Sequence, residues 1–163
     1  GLVGMLQPLE PSGPGRPLVS ATTQAWNADL SPNGQWIAYQ SDESGRYEIY
    51  VRPFPALEQG GWQISTDGGE HPLWSRDGRA LLYISRSGML VSVPVQAEGR
   101  FTFEKAVPLL KVDQYYVNTA RNYDVSTDGR RFVFVKAIAQ GAARPSFTIV
   151  VNWFDEVRRK LGQ

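Results

Sequence analysis

The chain has 163 residues, enough for one domain with a real core, and its 42% hydrophobic and 12% aromatic content is unlike that of a disordered segment. Seventeen basic against sixteen acidic residues leave a formal charge of +1, which excludes the one-sided charge that nucleic acid or a polybasic membrane anchor requires. With no Cys there are no disulfides and no thiolate metal sites, and no run of ~20 apolar residues is present to insert across a bilayer as a helix.

In chain order, Gly1-Leu-Val-Gly-Met-Leu6 begins in mid-pattern, without an initiator Met or a basic signal-peptide start, as in a processed product or a piece of something longer. Residues 1–20 read as a partial repeat unit. Leu2–Leu6 supply its third strand and Arg16–Ser20 its fourth, with a stiff loop between them built on Pro8, Pro11, Gly13, Pro14 and Gly15.

Three full units follow, over about 21–66, 67–111 and 115–154. Their register is set by the dipeptides Asn33-Gly34, Asp77-Gly78 and Asp128-Gly129, which stand 44 and 51 residues apart, near the ~40–50 residues of one propeller blade. Around them the passages Ala28-Asp-Leu-Ser-Pro-Asn-Gly-Gln-Trp-Ile-Ala-Tyr39, Pro72-Leu-Trp-Ser-Arg-Asp-Gly-Arg-Ala-Leu-Leu-Tyr83 and Tyr123-Asp-Val-Ser-Thr-Asp-Gly-Arg-Arg-Phe-Val-Phe134 align. Asx-Gly supplies the positive φ of tight turns, so each passage is a hairpin. In the strand after the turn, Ile37, Leu81 and Phe132 are equivalent, and so are Tyr39, Tyr83 and Phe134, a period of two that predicts half-buried strands.

A third strand is predicted at Tyr47–Arg52, Met89–Val93 and Phe147–Asn152. Turns at Ser44-Gly45, Ser87-Gly88 and the longer Gln140–Pro145 precede it. An outer fourth strand is predicted at Gly61–Ser65 and at Thr102–Leu110, the latter made irregular by Pro108. Only Phe154–Leu161, within a tail over 154–163, reads as a short helix. The fold class that follows is all-β: about three four-stranded antiparallel propeller blades plus a partial one, half of a six-bladed ring.

Catalytic motifs are missing. There is no Gly-x-Ser-x-Gly elbow, phosphate-cradling loop, His-Glu-x-x-His pair or EF-hand loop, so neither catalysis nor a cofactor is expected. Asp67-Gly-Gly-Glu70 reads as a solvated turn rather than a cation site, Asp42-Glu43 as a hairpin-tip pair, and the single His71 as a strand residue rather than a base or ligand.

One constellation stands out. Asn27, His71 and Asn122 are equivalent in the repeat, as are Asp29, Leu73 and Asp124, and Trp26, Glu70 and Arg121. All lie on the first strand of a unit, which lines a propeller's channel, so Asn27, Asp29, His71, Asn122 and Asp124 form the candidate binding ring at the channel mouth. Leu30, Trp74 and Val125 fall on the other parity and are expected to pack between blades. Trp36, Trp74, Tyr39, Tyr83 and Phe134 sit at core parity. Phe54, Trp62, Tyr115-Tyr116 and Trp153 are unplaced by the pattern and are candidates for an exposed aromatic patch, Trp153 alternatively sealing the last blade.

Leu30-Ser-Pro-Asn-Gly-Gln-Trp-Ile-Ala-Tyr39 followed by Glu48-Ile-Tyr-Val51 resembles the TolB-type propeller repeat. Ser41-Asp-Glu-Ser-Gly-Arg46, Tyr50-Val-Arg-Pro-Phe-Pro55, Gln63-Ile-Ser-Thr-Asp-Gly-Gly69 and Val150-Val-Asn-Trp153 resemble the final blades of bacterial TolB-like propellers. The resemblance covers about residues 16–154, with Asn33 in place of the usual Asp and with Arg76 and Thr127 in place of Pro. It implies a WD-type, non-catalytic module that binds a protein or peptide, of a kind often fused to serine/threonine kinase or DNA-binding regulatory domains. The alternative is an accessory, substrate-gating or glycan-binding part of a larger enzyme such as a prolyl-oligopeptidase-type peptidase. Three blades do not close a ring, so a homodimer is expected in which Arg16–Ser20 of one chain joins the third blade of the other.

Overall fold

The computed structural model describes residues 4–7, 14–20, 22–113, 115, 120–136 and 147–151. The predicted loop at Gln140–Pro145, the helix at Phe154–Leu161, and Tyr116 and Trp153 lie outside the described residues. Strands β1 (Met5–Leu6) and β2 (Arg16–Pro17) form an antiparallel pair. The first sheet is a meander of β3 (Ala25–Leu30), β4 (Trp36–Ser41), β5 (Glu48–Pro53) and β6 (Trp62–Gln63). A single 3-10 turn at Leu57–Gln59 precedes β6. The second sheet comprises β7 (Gly69–Trp74), β8 (Ala80–Ser85), β9 (Met89–Gln96), β10 (Thr102–Phe103) and β11 (Val107–Lys111). The third holds β12 (Tyr123–Val125), β13 (Arg131–Val135) and β14 (Phe147–Val151). Antiparallel strands following one another across three sheets are partial propeller blades.

The fourth strands are shorter than the sequence suggests. The first has only Trp62–Gln63, and the second splits in two, β10 and β11 both pairing with β9. The register shift in β11 falls between Pro108 and Leu110, because proline has no N–H to give the ladder.

The three turns share one hydrogen-bonded device. Ser31 Oγ donates to Asn33 Oδ1 (2.7 Å) and accepts from Trp36 N (2.9 Å), while Asn33 Oδ1 accepts from Gln35 N (3.1 Å). Ser75 with Asp77 and Ser126 with Asp128 repeat this pattern atom for atom. The amide of each turn glycine bonds the Ser carbonyl. Asn33, Asp77 and Asp128 keep ordinary φ, and the positive φ is carried by Gly34, Gly78 and Gly129 alone, at 67°, 69° and 67°. The Asx-Gly pair is therefore not a two-residue type I′ turn. Its Asx oxygen braces a four-residue turn that only glycine closes cheaply.

Between the first and second sheets lie Trp36, Ala38, Ile49, Val51, Trp74, Leu81, Tyr83 and Phe101. Between the second and third lie Leu82, Ile84, Leu90, Leu109, Val125, Phe132 and Phe134. Leu18 and Val19, beyond β2, cover Ile37, Tyr39 and Tyr50 on the opposite side of the first sheet. This stacking corrects the expectation of half-buried strands. All six residues of β4 are buried, since a sheet inside the stack has a neighbour on each face, whereas β13 alternates exposed and buried.

Trp74 and Val125 pack between sheets as expected, at 2% and 3% exposure. Leu30, their equivalent, does not: it is 48% exposed. It pairs with Ile37 and so faces the preceding blade, of which only the outer strands β1 and β2 are described. Phe54 and Trp62 are half-buried against the core, and Tyr115 stacks on Phe134 at 4.6 Å, so the described members of the unplaced aromatic group are packed rather than gathered into one patch.

Candidate functional site

The innermost strands β3 and β7 carry matching irregularities. Pairing of β3 with β4 shifts between Trp26 and Asp29, and that of β7 with β8 between Glu70 and Leu73. Inside each bulge sits a non-glycine residue at positive φ, Asn27 at 50° and His71 at 57°. Such backbone costs on the order of 1 kcal/mol each and persists where surrounding contacts over-determine it. In the third unit the equivalent Asn122 comes just before β12, and its carbonyl accepts from Val135 N at 3.3 Å.

The contacts that hold these bulges can be followed atom by atom. His71 N donates to Gln40 Oε1 and Arg121 N to Asn27 Oδ1, at 3.1 and 3.2 Å. A backbone N–H can only donate, so these two bonds fix which end of each amide is oxygen. Asn27 Nδ2 then gives its hydrogens to Gln40 Oε1 and to His71 Nδ1, each at 3.1 Å. Nδ1 must accept, which leaves the imidazole neutral with its proton on Nε2, 3.6 Å from Glu70 Oε2 and without a hydrogen-bond partner among the described residues. Tyr123 OH donates to the His71 carbonyl at 2.7 Å, so all three sheets meet at this histidine.

His71 is fully buried, and burial first, then the nearby Arg121 cation, pushes its pKa from 6.5 down to about 4. The unfolded chain therefore takes up a proton near pH 6.5 that the folded chain refuses until about pH 4. The stability that neutral His71 confers is complete above pH 6.5 and is lost as the pH falls through that window, about 3 kcal/mol in all. In His71→Asn, whose side chain tolerates the left-handed backbone, the decline of melting temperature between pH 7 and pH 4 is expected to be shallower than in the parent. Parallel declines would place the acid sensitivity elsewhere.

Asp29 binds the sheets more directly. Its Oδ2 accepts from Trp74 N at 2.8 Å, its carbonyl from Trp74 Nε1 at 3.1 Å, and its Oδ1 lies 3.2 Å from Arg121 Nη1. Arg121 Nη1 also donates to the Pro72 carbonyl at 2.9 Å. Asp124 is more open and pairs with Arg76 at 3.2 Å, both side chains being more than half exposed. Asp29, Leu30, Leu73, Arg76, Arg121 and Asp124 line one cleft of about 160 Å³.

The structure thus divides the predicted ring. Asn27, His71 and Asp29 are brought together as the joint between blades, while Asp29 and Asp124 reach the cleft with two arginines. Arg76, Arg121 and Gln40 were missed as site residues. Arg121 occupies the position of Trp26 and Glu70 in the repeat, and Gln40 directly follows the apolar run Trp36-Ile-Ala-Tyr39 as a polar residue on the same strand, which is the signal that marks it.

No protein-family model matches the chain, and no curated protein matches it. Among solved structures, a protein assigned as TolB from Agrobacterium tumefaciens superposes with a TM-score of 0.56 at 18% identity, over 84% of this chain and 48% of that one. TolB from Acinetobacter baumannii aligns over 85% of this chain and 44% of its own, with 13% identity and a TM-score of 0.41. The first likeness shows that the fold is that of a TolB-type propeller, of which this chain spans about half the length.

Proposed function

We propose that the chain is a non-catalytic propeller module that binds a protein or peptide segment at the channel mouth, and that it works as a homodimer. The observation that carries this reading is the cleft between Asp29–Arg121 and Arg76–Asp124. Its floor holds half-exposed Leu30 beside buried Leu73 and Trp74. Of the two pairs Arg76–Asp124 is solvent-exposed, worth little to the fold, about 0–1 kcal/mol, and exchanges readily for the charges and amides of an extended peptide. Behind them, the Asn27–Gln40–His71 network holds the cleft wall rigid, which lowers the entropic cost of binding.

A phage-displayed library of random peptides panned on the immobilised protein tests this. Enriched peptides are expected to lose affinity at least tenfold, about 1.4 kcal/mol, on Arg76→Glu and on Asp124→Ala, and to be unaffected by Phe103→Ala on the outer edge. Peptides that bind all three variants like the parent, or a library that yields none, would refute the site. Ester, peptide, glycoside and ATP substrates are expected to give no turnover.

A further inference from the structure

The first of the three braced turns differs from the other two by one side-chain atom. Asp77 and Asp128 brace their turns through Oδ1, and Asn33 Oδ1 takes the same two bonds. Asn33 also carries an amide nitrogen, and its Nδ2 donates to the Ala97 carbonyl at 2.8 Å, across the joint between the first and second sheets. Trp36 Nε1 donates to the same carbonyl at 2.7 Å. Two donors of the first sheet and its turn thus converge on one acceptor just beyond β9. They stand at the rim of an open cleft of about 550 Å³ lined by Pro32, Asn33, Asp77, Arg79 and Ala97.

Asparagine followed by glycine is chemically labile. The Gly34 nitrogen attacks Asn33 Cγ, a C–N bond closes a five-membered succinimide, and the amide nitrogen leaves as ammonia with the proton of Gly34 N. Water then adds to one of the two imide carbonyls and opens the ring. The product is aspartate, or isoaspartate, whose main chain runs through the side chain and is longer by one methylene. The balance is one water consumed and one ammonia released. Both residues are exposed to that water, and nothing stands within 4 Å of the place a Gly34 Cβ would take, so the ring has room to form. In the closed turn, however, each reacting group is engaged elsewhere. Gly34 N, the nucleophile, donates to the Ser31 carbonyl at 2.8 Å. Asn33 Oδ1 holds Ser31 Oγ and Gln35 N, and Nδ2, the leaving group, is held by Ala97.

We propose that Asn33-Gly34 is a latent site of spontaneous deamidation, locked by the joint between the first two sheets, and that its conversion unfastens that joint for good. The aspartate product keeps an oxygen for Ser31 and Gln35, as the other two turns do. Its second oxygen faces the Ala97 carbonyl where a donor stood, and two acceptors at that distance repel. The Ala97 segment moves away and takes with it the acceptor of Trp36 Nε1, whose side chain is buried and loses its bond. Isoaspartate adds main-chain length that the four-residue turn has no place for. An opening of this corner that lasts long enough for ring closure is therefore recorded as a permanent negative charge. The Asp-Gly turns make no such record, since they already hold the acid. The peptide site plays no part in this inference.

Peptide mapping of the full chain at mildly alkaline pH, folded in buffer and unfolded in guanidinium chloride, reads the site directly. Deamidation at Asn33 is expected to be fast in the unfolded chain and roughly tenfold or more slower in the folded one, the factor that one or two hydrogen bonds impose on a local opening. Asn33→Asp reproduces the product. It is expected to melt cooperatively but below the parent, and its Trp36 indole proton to exchange faster with solvent. Equal rates in the folded and unfolded parent overturn the lock, and an Asn33 that survives unfolding overturns the labile site. An Asn33→Asp chain that melts with the parent and keeps a slow indole proton overturns the claim that conversion unfastens the joint. The rate comparison needs only the parent chain, so it decides even where the variant does not fold.

Discussion

Phe101→Ala is expected to lower the free energy of unfolding by about 3–5 kcal/mol, which urea denaturation would register as a fall in midpoint. Phe101 is 1% exposed and sits among Trp36, Trp62 and Trp74, at ring distances of 5.2, 5.0 and 6.3 Å. The first two belong to the first sheet and the third to the second, so one side chain fills the gap between two sheets. Removing the ring leaves a cavity walled by rigid indoles, which cannot collapse to fill it. Phe103 provides the contrast. It touches Phe101 at 6.1 Å but is 39% exposed, and Phe103→Ala is expected to cost less than about 1 kcal/mol. Equal losses from the two variants would mean that the cluster does not join the sheets.

Glu48→Leu is expected to cost about 3 kcal/mol in the same measurement, although it places an apolar side chain in a buried position. Glu48 is fully buried at the start of β5 and accepts from Arg46 Nε (2.7 Å), Gly68 N (2.9 Å) and Ser65 Oγ. Ser65 Oγ in turn accepts from Ile49 N at 2.9 Å. Leucine would strand the Gly68 amide and the Ser65 hydroxyl away from water, and stranded donors are costlier than the original bonds are valuable. Glu48→Gln keeps an acceptor oxygen and is expected to lose about half as much. The site has no slack for a larger rearrangement: a Cβ on the adjacent Gly69 would stand 2.5 Å from Ser65 Oγ and 2.8 Å from Ile49 Cγ1. A leucine variant as stable as the parent would show that the pocket accepts apolar volume freely.

What the sequence made legible was whatever is set within a dozen residues. The Ser-x-Asx-Gly turns could be placed because serine, Asx and glycine act on one another over four positions, and the strands beside them followed from period-two apolar spacing. The burial of β4 on both faces was also written locally, since Trp36-Ile-Ala-Tyr39 is a continuous apolar run rather than an alternation. Long-range pairing was not legible. Asn27 and Arg121 are 94 residues apart when they bond, and only the closure of three sheets brings them together. For the same reason the repeat placed Asp29 and Asp124 on inner strands but did not show that Arg121 and Arg76 pair with them. Leu30 shows the limit from the other side: its pattern is that of Trp74 and Val125, and its exposure depends on what stands next to it.

The way the sheets are stacked also sets the order in which the molecule comes apart. Each sheet contacts only its neighbours, so cohesion is a sum of local couplings along a line, and the sheet with neighbours on both sides is the most strongly held. The first and second sheets both have this place, the first between the second sheet and the Leu18–Val19 segment, while β13 in the third shields only one face. Among the described sheets, fraying therefore starts at the third, leaving the amides of β4 and β8 the last to exchange with solvent.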